Sequence, residues 1–352
     1  MKTSTASRKG NPFGTHRVLK PAGVLPQPAE KLDNAMDAPY DDEILVDVDT
    51  LNVDSASFTQ IKAAAGGDEG KIRAAILGIV AERGKMQNPV TGSGGMFIGT
   101  VAKVGPALAG KCPLKPGDRI ASLVSLSLTP LRIDEILEVK KDVDQVRVRG
   151  QAVLFESGLY AKLPSDIPAP LALAVLDVCG APAQTARFVK PGDTVVIIGA
   201  GGKSGLLCAY EARRRAGVTG RVLGIEFSDK GLERLKKLGF CDELFKLDAS
   251  DAVACYEKIH AATLGRLADL VINCVNIQNT EMASILMCRD RGLVYFFSMA
   301  TSFTKAALGA EGVGKDVDMI VGNGYTKGHA EITLNILRES PEIRALYEKL
   351  YT

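Results

Sequence analysis

The chain has 352 residues, 46% of them hydrophobic, which at roughly 150 residues per domain predicts two domains with cores that need no covalent staple. Lys and Arg number 43 against 41 Asp and Glu, a net charge of +2, so the clustered cation that a nucleic-acid or anionic-membrane surface requires is not expected. Seven cysteines, an odd number with no CxxC pair, fit reduced core thiols better than a disulfide framework or a zinc lobe.

Taken in chain order, Met1–Gly10 is polar and basic, and no apolar segment follows it. A secretory signal is therefore not expected; the protein is expected to be soluble and cytoplasmic, with residues 1–10 disordered. Short β-rich runs, Glu43–Val48 and Met96–Val104, then alternate with Gly- and Pro-bearing turns. Between them Glu69–Arg83 places Ile72, Ile76, Ile79 and Val80 at helical spacing and stops at Gly84. Lys140–Gly150 is charged and reads as an exposed hairpin or loop. The most apolar stretch, Pro168–Ala183, carries Asp177 and three prolines and is too short to span a bilayer.

After residue 190 the period changes. Strands are predicted at Thr194–Ile198, Arg221–Ile225, Leu244–Leu247, Leu267–Cys274, Gly292–Ser298 and Val317–Val321. Helices fall between them at Lys203–Ala216, Lys230–Leu238, Ala252–Thr263 and Thr280–Cys288, with a helical tail, Lys327–Tyr351, broken at Pro341. Continuous apolar strands separated by helices predict a doubly wound parallel sheet. The expected organisation is a β-rich domain over 1–172, an α/β domain over 173–323, and a C-terminal segment over 324–352 packing back toward the first domain.

Where the first of these strands meets its helix, the chain reads Gly199–Ala200–Gly201–Gly202–Lys203–Ser204–Gly205. A dinucleotide needs such a turn, because glycines let the backbone approach the pyrophosphate and the helix start offers free N–H groups. The strict G-x-G-x-x-G pattern fails at its third glycine, where Ser204 stands and Gly205 follows. Glu226 ends the second strand roughly 20 residues on, where a carboxylate accepts ribose hydroxyls. Phe227 and Ser228 follow it rather than a cation, which favours NAD over NADP, although Lys230 and Arg234 lie near.

Three segments carry a family resemblance: Gly94–Val104 (GGMFIGTVAKV), Lys115–Ile120 (KPGDRI) and Lys190–Gly205 (KPGDTVVIIGAGGKSG). With the β-rich domain first, they resemble the medium-chain dehydrogenase/reductase superfamily. That implies a GroES-like N-terminal catalytic domain and a Rossmann nucleotide-binding domain, often paired into a homodimer through the last strand, here Val317–Val321. Gly95 and Met96 stand where zinc-dependent members carry His and Glu, and Leu51–Phe58 has no cysteine at the place of the first ligand. No zinc or other metal is therefore expected. Within the superfamily, Gly10–Asn34, Gln87–Gly95 and the tail from Gly322 resemble the L-erythro-3,5-diaminohexanoate dehydrogenases of lysine fermentation. The resemblance implies NAD-dependent oxidative deamination of a small diamino acid at C3, giving 5-amino-3-oxohexanoate and ammonia. The rival readings are a zinc-free quinone or enoyl reductase and a non-catalytic nucleotide-binding relative.

Such chemistry needs a base for the substrate ammonium, a cation for its carboxylate and an acid for its second amine. Asp54 and Ser55 lie in the loop that faces the reacting centre in this superfamily, and read equally as a surface turn. Glu82, Arg83 and Lys85 close the first-domain helix, as a solvated helix end or as a clamp. His16 and Arg17 sit in the opening segment and are candidate site residues, ahead of His260 and His329. Thr91 and Ser93 precede the glycine-rich stretch and could bond substrate or form a polar loop. Cys179, at the domain junction, is placed near the nicotinamide or is a packing thiol. The catalytic candidates are thus Asp54, His16 and Glu82, with Arg17, Ser55, Arg83, Thr91 and Ser93 for substrate.

Overall fold

The computed structural model describes residues 8–322 and 324–352. The first seven of the ten residues expected to be disordered thus lie outside the described residues. Arg8 is tied down by bonds to Asp41, Ala38 and Tyr40, and the Gly10 N–H donates to Asp42. The chain divides into two compact units, residues up to 173 with 351–352, and residues 174–350.

The first unit begins with a small pair, β1 (Val18–Lys20) and β2 (Lys31–Leu32). There follow β3 (Glu43–Val53), α1 (Ser55–Ala64), α2 (Glu69–Arg83), β4 (Gly95–Val104), β5 (Arg119–Ser122), β6 (Leu131–Lys140), β7 (Gln145–Phe155) and β8 (Tyr160–Lys162). Among the described residues, β6-β7-β3-β4-β5-β8 form an antiparallel sheet in that order. β3 is central, in register from Ile44↔Val104 to Val53↔Gly95 with β4. Its alternating Ile44, Val46 and Val48 enter a core shared with Phe58 and Ile61 of α1 and Ile72, Ile76 and Val80 of α2. Each such side chain contributes about 1.5–3 kcal/mol on full burial.

One helix is unexpected, and one expected hairpin is more buried than its charge suggests. Residues 55–64 form a helix that periodicity does not reveal, because only Ser57, Phe58 and Ile61 of its ten residues are buried. Asp54 caps it, its carboxylate accepting from the N–H groups of Ala56 and Ser57. The charged Lys140–Gly150 stretch is a hairpin whose second half already belongs to β7, with Val146 and Val148 buried. α2 ends as expected, at Gly84 with φ +67°.

α3 (Ala169–Leu176) and α4 (Gly180–Phe188) take up the most apolar stretch and bend by 55°. No single helix among the described residues is long and apolar enough to cross a membrane. The second unit continues with β9 (Thr194–Ile198), α5 (Lys203–Ala216), β10 (Arg221–Glu226), α6 (Asp229–Leu238), β11 (Glu243–Lys246), α7 (Ala252–Ala262), β12 (Ala268–Asn273), α8 (Glu281–Met287), β13 (Cys288–Phe296), α9 (Phe303–Gly312), β14 (Asp318–Val321), α10 (His329–Glu339) and α11 (Pro341–Tyr351). Its sheet is parallel throughout, in the order β11-β10-β9-β12-β13-β14. Strands β9 and β12 are buried almost end to end, as continuous apolar runs require. β13 starts four residues earlier than Gly292, and α9 falls in a stretch the periodicity leaves unassigned. Within the second unit α10 packs on α4 and α5, where the Thr333 hydroxyl donates to the Cys179 carbonyl. The Tyr347 hydroxyl likewise donates to the Lys203 carbonyl.

Candidate active site

The strand order of the second unit reverses between β9 and β12, which opens a crevice at the carboxyl ends of the strands. A cleft of about 310 Å³ occupies that place, lined by Gly199, Gly202, Glu226, Asp248, Cys274 and Val275 among others. Gly199 leaves β9 with φ +73°, and Gly202 precedes the first turn of α5, a helix start of the kind that attracts an anion. A Cβ at Gly205 would lie 2.2 Å from the Gly199 carbonyl oxygen and 2.7 Å from the Ala200 Cα. Gly205 therefore fulfils the close-packing role of the missing third glycine, and Ser204, one residue earlier, is buried beside it. These features fit a dinucleotide pyrophosphate.

The Glu226 carboxylate accepts from the Gly201 N–H at 3.0 Å and from the Ser228 N–H and hydroxyl at 2.9 Å. It is thus held at the rim of the phosphate turn. Arg234 donates to the Gly201 carbonyl at 3.3 Å. Lys203 pairs with Asp177 at 2.7 Å. Cys179 is buried, its thiol pushed up to about 12 by burial and then by the nearby Asp177 charge, and it does not line this cleft.

In the first unit Asp54 is brought together with Thr91 and Ser93. The Ser93 hydroxyl donates to Asp54 Oδ1 at 2.9 Å, and the same oxygen accepts the two cap bonds. Ser57, fully buried, lies 2.6 Å from both the Thr91 and the Ser93 hydroxyls, which are 3.1 Å from each other. Asp54 Oδ2 has no partner among the described residues. Sequence reasoning missed Ser57, although its position three residues after a capping Asp was the available signal. Ser55 instead turns outward and donates to Asp144 at 2.7 Å.

His16 and Arg17 gather elsewhere, on Glu43, a residue the sequence did not single out. Arg17 donates to both Glu43 oxygens, at 2.8 and 2.7 Å, and to the Ala35 carbonyl, and it is 1% exposed. Asn11 donates its N–H to His16 Nδ1, so Nε2 carries the proton and donates to Glu43 at 2.8 Å. Burial alone would push the Glu43 carboxyl up. Bonds from Arg17, His16 and the Tyr40 N–H outweigh it and hold the group down at about 2. Arg17, expected to face substrate, here directs its donors to Glu43, Asp33 and Ala35 inside the fold.

Glu82 is exposed on α2 and makes no hydrogen bond or ion pair among the described residues. Arg83 is half-buried with its Nε lacking any partner. Lys85 is buried and donates to the Pro26 and Gln27 carbonyls, its amine lowered to about 8 by burial and then by Arg83. His260 is exposed on α7, and His329 is buried, its imidazole lowered by that burial. Among the described residues no three His, Cys, Asp or Glu side chains stand together as a metal site.

A β-rich unit and a parallel α/β unit with a cleft at its switch point have the fold of the medium-chain dehydrogenases/reductases. The fold is that of a mycobacterial quinone oxidoreductase, 19% identical with a TM-score of 0.54, over 93% of this chain and 87% of that one. Residues 16–164 match the L-erythro-3,5-diaminohexanoate dehydrogenase N-terminal domain. The chain is 62% identical to L-erythro-3,5-diaminohexanoate dehydrogenase of Acetoanaerobium sticklandii, over 97% of its length and 99% of the relative's. It is 57% identical to the protein of that name from Fusobacterium nucleatum, over 98% and 99%. The chain belongs to the L-erythro-3,5-diaminohexanoate dehydrogenase family, and is an oxidoreductase.

Proposed function

We propose that this enzyme oxidatively deaminates L-erythro-3,5-diaminohexanoate at C3 with NAD and water, giving 5-amino-3-oxohexanoate, ammonia and reduced cofactor, as a cytoplasmic step of lysine fermentation. The relatives' shared name supports the substrate. Glu226 at the rim of the phosphate turn supports NAD, since a 2′-phosphate would meet its charge. When bound, the nicotinamide supplies the hydride acceptor.

The remaining steps fall to side chains. An amine yields hydride only once its nitrogen is neutral, so a base must take a proton from the ammonium. Asp54 is the proposed base. The observation that carries this is the division of its carboxylate: Oδ1 is held by three donors while Oδ2 is open. Ser93 fixes the carboxylate, and Ser57 fixes Ser93 and Thr91; Thr91, an exposed residue, is the proposed partner of substrate or the attacking water. Arg83, with a partnerless Nε, is the proposed contact for the substrate carboxylate. The groups around Asp54 are hydroxyls rather than the thiolates and imidazoles that zinc favours, which supports a zinc-free reaction.

The test mixes the protein with NAD and the synthetic diamine and follows cofactor reduction by absorbance. Asp54→Asn should lower kcat by about 10²–10⁴-fold while NAD affinity stays constant. Full activity in that variant sinks the assignment of the base. No reduction with the diamine, together with turnover of a quinone by NADPH, sinks the function, and a zinc ion required for activity sinks the zinc-free reading.

A further inference from the structure

All the cysteines are free thiols, and two of them touch. Cys208 on α5 and Cys274, just past β12, have their sulfurs 3.8 Å apart. Neither takes part in the proposed chemistry. We infer that this pair is an oxidation site coupled to the nucleotide cleft: a hydroperoxide converts the two thiols to a disulfide, and the linked enzyme binds NAD more weakly. The inference rests on the reading of the cleft as the dinucleotide site.

The two thiols differ in access. Cys274 is half-buried and lines the cleft, so a small hydroperoxide reaches it from solvent. Cys208 is wholly buried, bonded to the Thr185 side chain and touching the Cys274 sulfur. The Cys274 thiolate attacks the peroxide, the O–O bond breaks, and the departing alkoxide takes up a proton, leaving a sulfenic acid. Cys208 sulfur then displaces the hydroxyl from Cys274; the S–S bond forms, and water leaves with the Cys208 proton. Two thiols are oxidised by two electrons, and one hydroperoxide is reduced to an alcohol and water.

The coupling follows from what lies between the sulfurs and the phosphate turn. A disulfide needs roughly 2.05 Å between sulfurs, so the pair must close further. The Cys274 N–H is bonded to the Ile198 carbonyl at 2.9 Å, at the end of β9. Val275 sits against Gly199, where a Cβ would lie 3.1 Å from the Val275 Cα. From the other side Gly205 of α5 presses on Gly199 and Ala200. The phosphate turn is thus clamped between the two segments that a disulfide draws together. Close-packed interiors transmit such a displacement rather than absorbing it.

The test uses the full-length reduced protein, treated with tert-butyl hydroperoxide and then freed of it. Non-reducing peptide mass spectrometry should find the Cys208 peptide joined to the Cys274 peptide. Calorimetry should show NAD binding weakened by about tenfold or more and restored by dithiothreitol. Cys208→Ala and Cys208→Ser, given the same treatment, should form no such link and keep the NAD affinity of the reduced enzyme. The absence of the 208–274 link overturns the inference. So does a linked enzyme that binds NAD as tightly as the reduced one, or a Cys208 variant that loses affinity on oxidation as the wild type does. Reduced protein that forms the link yet never binds NAD overturns the cofactor reading and with it the coupling, and leaves the oxidation site standing.

Discussion

Glu43 shows how a single buried carboxylate reorganises the opening segment. It takes both arms of Arg17 and the ring proton of His16, and its side chain is fully covered. Replacing Arg17 by Met should strand that carboxylate and cost about 3–5 kcal/mol of stability in urea unfolding. The pH dependence has a defined sign. Because the folded Glu43 carboxyl is held at about 2, below its ordinary 4.5, its contribution is present above pH 4.5 and is lost as the pH falls toward 2. In Arg17→Met that acid-side loss should flatten. An unfolding midpoint equal to the wild type's would overturn the account. The histidine and arginine drew notice in the sequence because they sit in the opening segment that carries the family resemblance, and the chain has only three histidines. Their partner did not, because a glutamate opening an apolar strand carries no local mark.

Among the elements, α5 and the turn before it are the part most dependent on atom-scale fit. The pattern Gly199–Gly205 is legible because the strand, turn and helix start are contiguous, so their geometry follows from local residues. Which glycine closes the helix onto the strand is a packing matter, and it is Gly205 rather than the residue at the pattern's third place. Gly205→Ala should push α5 away from Gly199, weaken NAD binding by about tenfold or more and lower stability by about 1–3 kcal/mol. Unchanged NAD affinity would remove Gly205 from the site. By contrast α1 escaped sequence reasoning: its buried stripe of Ser57, Phe58 and Ile61 includes a serine, which hides the period.

At the scale of the molecule, β14 is an edge strand of the parallel sheet among the described residues, and Val321 on it is 43% exposed. Met299 and, on α9, Phe303 and Leu308 are also exposed apolar side chains. An unpaired edge beside apolar surface tends to be covered, and we propose a homodimer formed there by a second copy of this chain. Light scattering should give twice the chain mass for the wild type and a monomer for the double variant Phe303→Asp, Val321→Lys. A monomeric wild type would refute the assignment.

The two cores, the switch from an antiparallel to a parallel sheet, the phosphate turn and the acid that follows it could all be read from the sequence, because each rests on periodicity or on neighbours a few residues apart. Family membership was legible too, from stretches spread along the chain. The tertiary structure alone decided which candidate residues meet. Asp54 finds Ser93 across 39 residues, Arg17 finds Glu43 across 26, and Cys208 finds Cys274 across 66. These pairings depend on strand register and on how helices pack over the sheets, where a shift of one residue sends a side chain to the opposite face. No local pattern encodes that.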